Sequence, residues 1–160
     1  MVTTLNGTEV NAILCKAGEK TLGVEDKNKV EDSQLNSSSF WKSHLSARGR
    51  LYNKGGWRAD VDDKNQWIQV DLAKKEVVSG IATQGGDFIA CWVKTYSVKH
   101  SLNGTTFESY KNEGDDKIFD GNSYKETNVL SPPITARYIR IHPVSWSKHI
   151  CMRIELYGCY

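Results

Sequence analysis

In this 160-residue chain the side chains best able to do chemistry are four cysteines, four histidines and the carboxylates of Asp60, Asp62, Asp63 and Asp87. Their spacing argues against catalysis. His44, His100, His142 and His149 show no metal-ligand spacing, and the chain has no His-Glu-x-x-His, Gly-x-Ser-x-Gly or phosphate-loop motif. Asp62 and Asp87 could be imagined as an acid/base pair, but chance carboxylates suggest such sites easily. The cysteines stand at 15, 91, 151 and 159 without a Cys-x-x-Cys pair and without a histidine at zinc-finger spacing. No metal and no other cofactor is therefore expected. An even count with one member near each end suggests disulfides and an oxidising compartment. Three Asn-x-Ser/Thr sequons, at Asn6, Asn36 and Asn103, agree with secretion.

The elements that must carry these residues repeat with period two, not 3.6. Ile68, Val70 and Leu72 alternate with Gln69 and Asp71; Ile139 and Ile141 alternate with Arg140 and His142. Ile150, Met152, Ile154 and Leu156 make one face of a last strand, and Cys151, Arg153, Glu155 and Tyr157 the other. These are half-buried strands, and Arg153 and Glu155 read as structural. Segments 96–102 and 105–110 flank Asn103-Gly104, the pair that a type I′ hairpin turn favours. Pro132-Pro133 predicts a loop before the Arg137 strand, and Pro143 the end of that strand. Helix signals are poor throughout, and a chain of this length fits one all-β domain, a sandwich.

Charge and hydropathy narrow the partners. Twenty-one Lys and Arg against nineteen Asp and Glu give a net charge of +2, with the two signs interspersed. A nucleic-acid face needs a one-sided basic surface, so nucleic acid is excluded as a partner. No apolar run approaches the ~20 residues of a spanning helix. The first residues, Met1 to Thr8, lack the charged start and apolar core of a signal peptide. The expected location is extracellular, with the signal absent from this sequence.

Nine segments, in this order, resemble the discoidin family, also called the coagulation factor V/VIII type C domain. They are Leu22-Gly23-Val24-Glu25, Asp32-Ser33-Gln34-Leu35 with Ser37-Ser38-Ser39, Ala47-Arg48-Gly49-Arg50-Leu51, Gln66-Trp67-Ile68-Gln69-Val70-Asp71-Leu72 and Ile81-Ala82-Thr83-Gln84-Gly85. Trp92-Val93-Lys94-Thr95-Tyr96, Phe119-Asp120-Gly121-Asn122, Pro132-Pro133-Ile134-Thr135-Ala136-Arg137-Tyr138-Ile139-Arg140 and Met152-Arg153-Ile154-Glu155-Leu156-Tyr157-Gly158-Cys159 complete the series. The resemblance implies a jelly-roll β-sandwich over residues 15–159, after an extension at 1–14. It also implies that a Cys15–Cys159 disulfide joins the chain ends. The remaining cysteines, Cys91 and Cys151, are expected to form a second bridge; the alternative is two buried free thiols.

Members of this family bind through loops, or spikes, at one end of the sandwich, and they are not enzymes. The first spike corresponds to Phe40-Trp41-Lys42-Ser43-His44-Leu45-Ser46. Trp41 and Leu45 are its expected tips, as in membrane-binding relatives, with Lys42 and His44 alongside; Phe40 or Trp41 could instead pack into the sandwich end. The third spike corresponds to Gly86-Asp87-Phe88-Ile89-Ala90-Cys91, and a bridge at Cys91 could fold Phe88 or Ile89 inward. Gly85-Gly86-Asp87 replaces the Arg-Gly-Asp sequence of some relatives, so integrin binding is unsupported. Asp62, five before Trp67, matches the acid that holds a peptide's terminal arginine in other relatives. The Ser/Thr cluster that accompanies it there is missing here.

Ligand contacts are thus expected from Trp41, His44, Leu45, Asp62, Asp87, Phe88, Ile89 and Trp146, the last as core-edge support near His149. Carboxylates among aromatics suit sugar hydroxyls, which favours a lectin-like adhesion module for cell-surface or matrix glycan. The alternatives are peripheral binding to an anionic membrane lipid such as phosphatidylserine, and a protein receptor.

Overall fold

The computed structural model describes residues 20–159. Cys15, the 1–14 extension and the expected Cys15–Cys159 closure lie outside the described residues. Short strands β1 (Lys20–Thr21), β2 (Leu35–Ser37) and β3 (Trp57–Arg58) precede two long ones, β4 (Ile68–Gln84) and β5 (Trp92–Ser101). Four more short strands follow: β6 (Glu108–Ser109), β7 (Lys111–Asn112), β8 (Asp115–Asp116) and β9 (Phe119–Asp120). The chain then runs through β10 (Glu126–Ser147) and β11 (Cys151–Gly158). Among the described residues the helical turns are short 3-10 segments, at Asp32–Gln34 and Ser46–Arg48.

The main sheet runs β1-β11-β4-β10-β5-β6, with β2 added on β4, β3 on β11 and β9 on β5. Its shape follows from the two long strands. Ile68–Asp71 of β4 pairs with Tyr138–Ile141 of β10 and carries β2, while residues 76–83 pair with an earlier part of β10 and with β11. Between these halves lie a register shift at 136–138 and Ala73 at φ 65°. Such a bulge bends a strand and increases its twist, so the sheet curls over its own apolar face as a jelly-roll sandwich. Ile68, Val70, Val98, Ile139 and Ile141 from one half share a single core with Val78, Ile81, Ile134, Ile154 and Leu156 from the other.

The last strand is buried on both faces, because the 22–30 loop covers the one expected to be polar. Glu155 is fully buried there and accepts hydrogen bonds from the backbone N–H groups of Val24, Glu25 and Leu156 at 2.8–3.0 Å. Burial pushes its carboxyl up, and those N–H groups oppose the shift. Arg50 holds the same loop by donating to the carbonyls of Val24 and Val30 and to Asp32 Oδ1, each at 2.7 Å.

Three local expectations are corrected. The 101–107 connection is not a type I′ turn: Gly104 has φ 78°, but Asn103 has no positive φ. Side chains close the loop instead, with Asn103 Oδ1 accepting the N–H groups of Thr105 and Thr106 and Ser101 Oγ accepting those of Asn103 and Gly104. Pro132-Pro133 forms no separate loop; it sits inside β10, where pairing with β4 skips from Val129 to Ile134. Pro143 does not end its strand either. Pairing with β4 stops at Ile141, but β10 continues against β5 to Ser147, so the missing N–H falls at a bulge, where the ladder tolerates it.

Candidate functional site

The first spike is folded by backbone bonds to β3. Trp41 N–H donates to the Arg58 carbonyl, Arg58 N–H to that of His44, and His44 N–H to that of Trp41. Its base is a polar knot. Trp57, fully buried, donates its indole N–H to the Ser39 carbonyl at 2.8 Å, and the hydroxyls of Ser38 and Ser39 both donate to Gln66 Oε1. Lys42 turns the loop at φ 51° and leaves its ammonium exposed.

The third spike is pinned on three sides. Cys91 bridges to Cys151 with Cα atoms 5.6 Å apart, so the expected second disulfide is present and the free-thiol alternative is not. Gly85 donates its N–H to the Ser123 carbonyl, while Arg153 donates to the carbonyls of Gly85 and Asn53. Asp87 is bound twice to Gly55: its N–H donates to the Gly55 carbonyl, and its carboxylate accepts the Gly55 N–H.

A row of rings joins the two spikes. His44 stacks on Phe88 with centroids 4.0 Å apart and on Trp41 at 5.6 Å. The Arg58 guanidinium lies 3.9 Å from the Trp41 ring centroid and the Lys42 ammonium 4.4 Å from it, a cation–π arrangement. Burial lowers the His44 pKa, and the charges of Arg48 and Arg58 lower it further, against a hydrogen bond that the imidazole donates to the Gly56 backbone. These effects favour the neutral imidazole. Phe40, beside Trp41, is 50% exposed, and Ile89, beside Phe88, is 42% exposed. The bridge at Cys91 thus leaves Ile89 outside while Phe88 packs against His44.

The other expected ligand residues stand apart from this stack. Leu45 is exposed but faces a groove of about 470 Å³ whose walls include Glu25, Lys27 and Arg48. Asp62 accepts from His149 Nδ1 at 2.7 Å and from the Ile150 N–H at 2.9 Å, so its carboxylate anchors the start of β11. Trp146 pairs opposite Val93 in β10 and packs against the core. Arg58 and Gln66 carry the site's architecture, yet neither is among the ligand residues expected from the sequence, where Gln66 appears only as the start of the family-like segment 66–72. Arg58 follows a tryptophan that is itself buried, and only the pairing of β3 with the spike shows its role.

The family model for the F5/8 type C domain matches residues 34–156. The chain belongs to that family. As an F5/8 type C domain it is 38% identical to coagulation factor V of Mus musculus, over 97% of this chain but 8% of that protein. It is 39% identical to lactadherin of Mus musculus, over 86% of this chain and 33% of that protein. The chain thus spans less than a tenth of factor V and a third of lactadherin. Among solved structures it resembles recombinant discoidin II of Dictyostelium discoideum, with TM-score 0.76 and 25% identity over 88% of this chain and 59% of that one. The family 32 CBM from C. perfringens NanJ, solved in complex with galactose, shares the fold at TM-score 0.65 and 16% identity, covering 81% and 97% of the two chains. The family is one of binding modules, and this chain is such a module.

Proposed function

We propose that this domain is an extracellular module that attaches peripherally to anionic phospholipid membranes through its first and third spikes. The observation that carries this reading is the pair of exposed apolar tips, Phe40 and Ile89, flanking a stack that bears Lys42 and Arg58. Soluble domains seldom leave clustered apolar side chains bare without a partner. The acids that favour a sugar are engaged within the chain, Asp62 by His149 and Ile150 and Asp87 by Gly55. The Trp41 ring, with two cations and His44 against it, offers little face for a sugar to stack on. The Cys91–Cys151 bridge supports an oxidising, extracellular setting.

Magnitudes favour weak attachment. Inserting Phe40 and Ile89, each already half-buried, contributes ~1 kcal/mol apiece, and each cation near an anionic surface adds ~1 kcal/mol. One domain then binds in the millimolar range, and useful avidity comes from several domains on one parent chain. A glycan reading keeps one observation, the exposed rings of Tyr52 and Tyr124 near Lys125. Vesicle sedimentation with and without phosphatidylserine, run beside a glycan array, separates the two. Phosphatidylserine-dependent, salt-sensitive binding that falls about tenfold in Phe40→Ser/Ile89→Ser supports membrane attachment. Vesicle binding absent in wild type, with array binding lost in Tyr124→Ala, would replace it with glycan recognition.

A further inference from the structure

We propose that Asn103 is an N-glycosylation site, placed at the end of the sandwich opposite the spikes. Asn103-Gly104-Thr105 is a complete sequon, and the hairpin turn it was expected to form is not what the loop builds. Asn103 is exposed, and its Oδ1 takes the local hydrogen bonds, from the Ser101 hydroxyl and the N–H groups of Thr105 and Thr106. Among the described residues its Nδ2 donates to nothing. A glycan on Nδ2 therefore leaves the cap of the loop intact. Beside it Leu102 is 60% exposed, an apolar side chain that a sugar would shield. Gly104 lies against the Tyr138 ring, where an added Cβ would come within 2.9 Å, so the loop is seated on the sheet and holds the acceptor in one place.

Distance supplies the second argument. β5 starts at the third spike and, nine residues later, ends at this loop, a separation of roughly 30 Å. A glycan there leaves the binding loops clear. Asn36 offers no such clearance, because it pairs with Gln69 in β2 and precedes the exposed Phe40 by four residues. The hydroxyl of its sequon serine, Ser38, is also occupied, donating to Gln66 and accepting the Trp67 N–H. Asn6 lies outside the described residues.

Asn103 Nδ2 would attack the anomeric carbon of a lipid-diphosphate-linked oligosaccharide. A C–N bond forms, the C–O bond to the diphosphate breaks with its electron pair leaving on that group, and the amide gives up one proton.

The test is to secrete the protein from eukaryotic cells and treat it with a peptide amidase, peptide N-glycosidase F, in heavy-oxygen water. Peptide 100–111, bounded by Lys99 and Lys111, contains Asn103 as its only asparagine. It should be missing from the untreated digest and return with heavy-oxygen aspartate at 103. The label separates enzymatic release from the spontaneous deamidation to which Asn-Gly pairs are prone. Thr105→Ala breaks the sequon while keeping the Asn103 cap and should release the peptide without treatment; Thr105→Ser should restore the glycan. Recovery of unmodified, label-free peptide 100–111 from untreated secreted wild type overturns the proposal.

Discussion

Arg50 shows how much one side chain can hold in this fold. It is 5% exposed, and its guanidinium gathers two carbonyls and a carboxylate from the 24–32 loop. Lysine has one compact ammonium and no planar fork, so it cannot meet three acceptors set around that fork. Arg50→Lys is expected to destabilise by about 2–4 kcal/mol, read as a lower urea midpoint with an unchanged m-value. The sequence shows an arginine in Arg48-Gly49-Arg50, and its composition alone implies a surface cation, since the burial depends on a loop some twenty residues earlier in the chain. His142 was legible as the outward position of an alternating strand, but not as a titrating group without a base. Burial beside Lys99 and Arg140 lowers its pKa to about 4, against a weaker opposite pull from Asp116. The folded state therefore favours neutral imidazole. The resulting stability is complete above the ordinary value of 6.5 and is lost as pH falls from there through about 4. With allowance for partial exposure this amounts to about 2 kcal/mol. His142→Gln should make the stability profile less steep than wild type between about pH 7 and about pH 4.5, the loss that remains coming from His44 and His100, which are shifted the same way.

At the scale of elements, period-two alternation located the long strands because each buries one face, and β4 keeps that pattern at Ile68, Val70 and Leu72. Alternation could not reveal that β4 and β10 each serve both halves of the curl, because that depends on bulges at 136–138 and 143–146. The spikes are a harder case. Trp41, His44 and Phe88 were visible as aromatic residues in loops, whereas their stacking requires the third spike to be held by Gly85, Ser123 and Arg153. Gly85 is the critical position. A Cβ there would stand 2.6 Å from the Cys91 carbonyl oxygen and 2.8 Å from the Trp92 Cβ, and backbone cannot give way as a side-chain tip can. Gly85→Ala is expected to cost about 1–3 kcal/mol and to shift Phe88 from His44. Its far-UV spectrum should match wild type, its vesicle binding should fall severalfold, and amides 86–91 should exchange faster.

For the whole molecule, the spike end, proposed above as the membrane-binding end, must be kept fixed although its loops carry so little regular structure. Cys91 begins the segment entering β5 and Cys151 begins β11, so their bridge joins strands that lie on opposite sides of β4 and β10 in the sheet order. It spans 60 residues of sequence, a loop whose closure is worth about 4 kcal/mol in the chain-entropy account. Four cysteines in the sequence announced bridges without specifying what this one does. Both sulfurs are buried at the base of the third spike, Cys91 at 1% exposure and Cys151 at 0%. The bridge therefore anchors the loop against Asp62, His149 and Ile150, which fix the start of β11 from the other side. Replacing both cysteines by serine avoids a stray thiol and isolates this effect. The Cys91→Ser/Cys151→Ser variant is expected to lose about 2–4 kcal/mol of stability while retaining its strands, because the core at Ile68, Ile81, Ile139 and Ile154 is untouched. Urea unfolding checks the first part and far-UV circular dichroism the second. Vesicle binding then distinguishes two roles for the bridge. If it serves only global stability, binding well below the unfolding midpoint stays at the wild-type level. If it holds Ile89 and Phe88 in register with Phe40 and Trp41, binding falls severalfold even where the protein is fully folded, and the latter is the expected result.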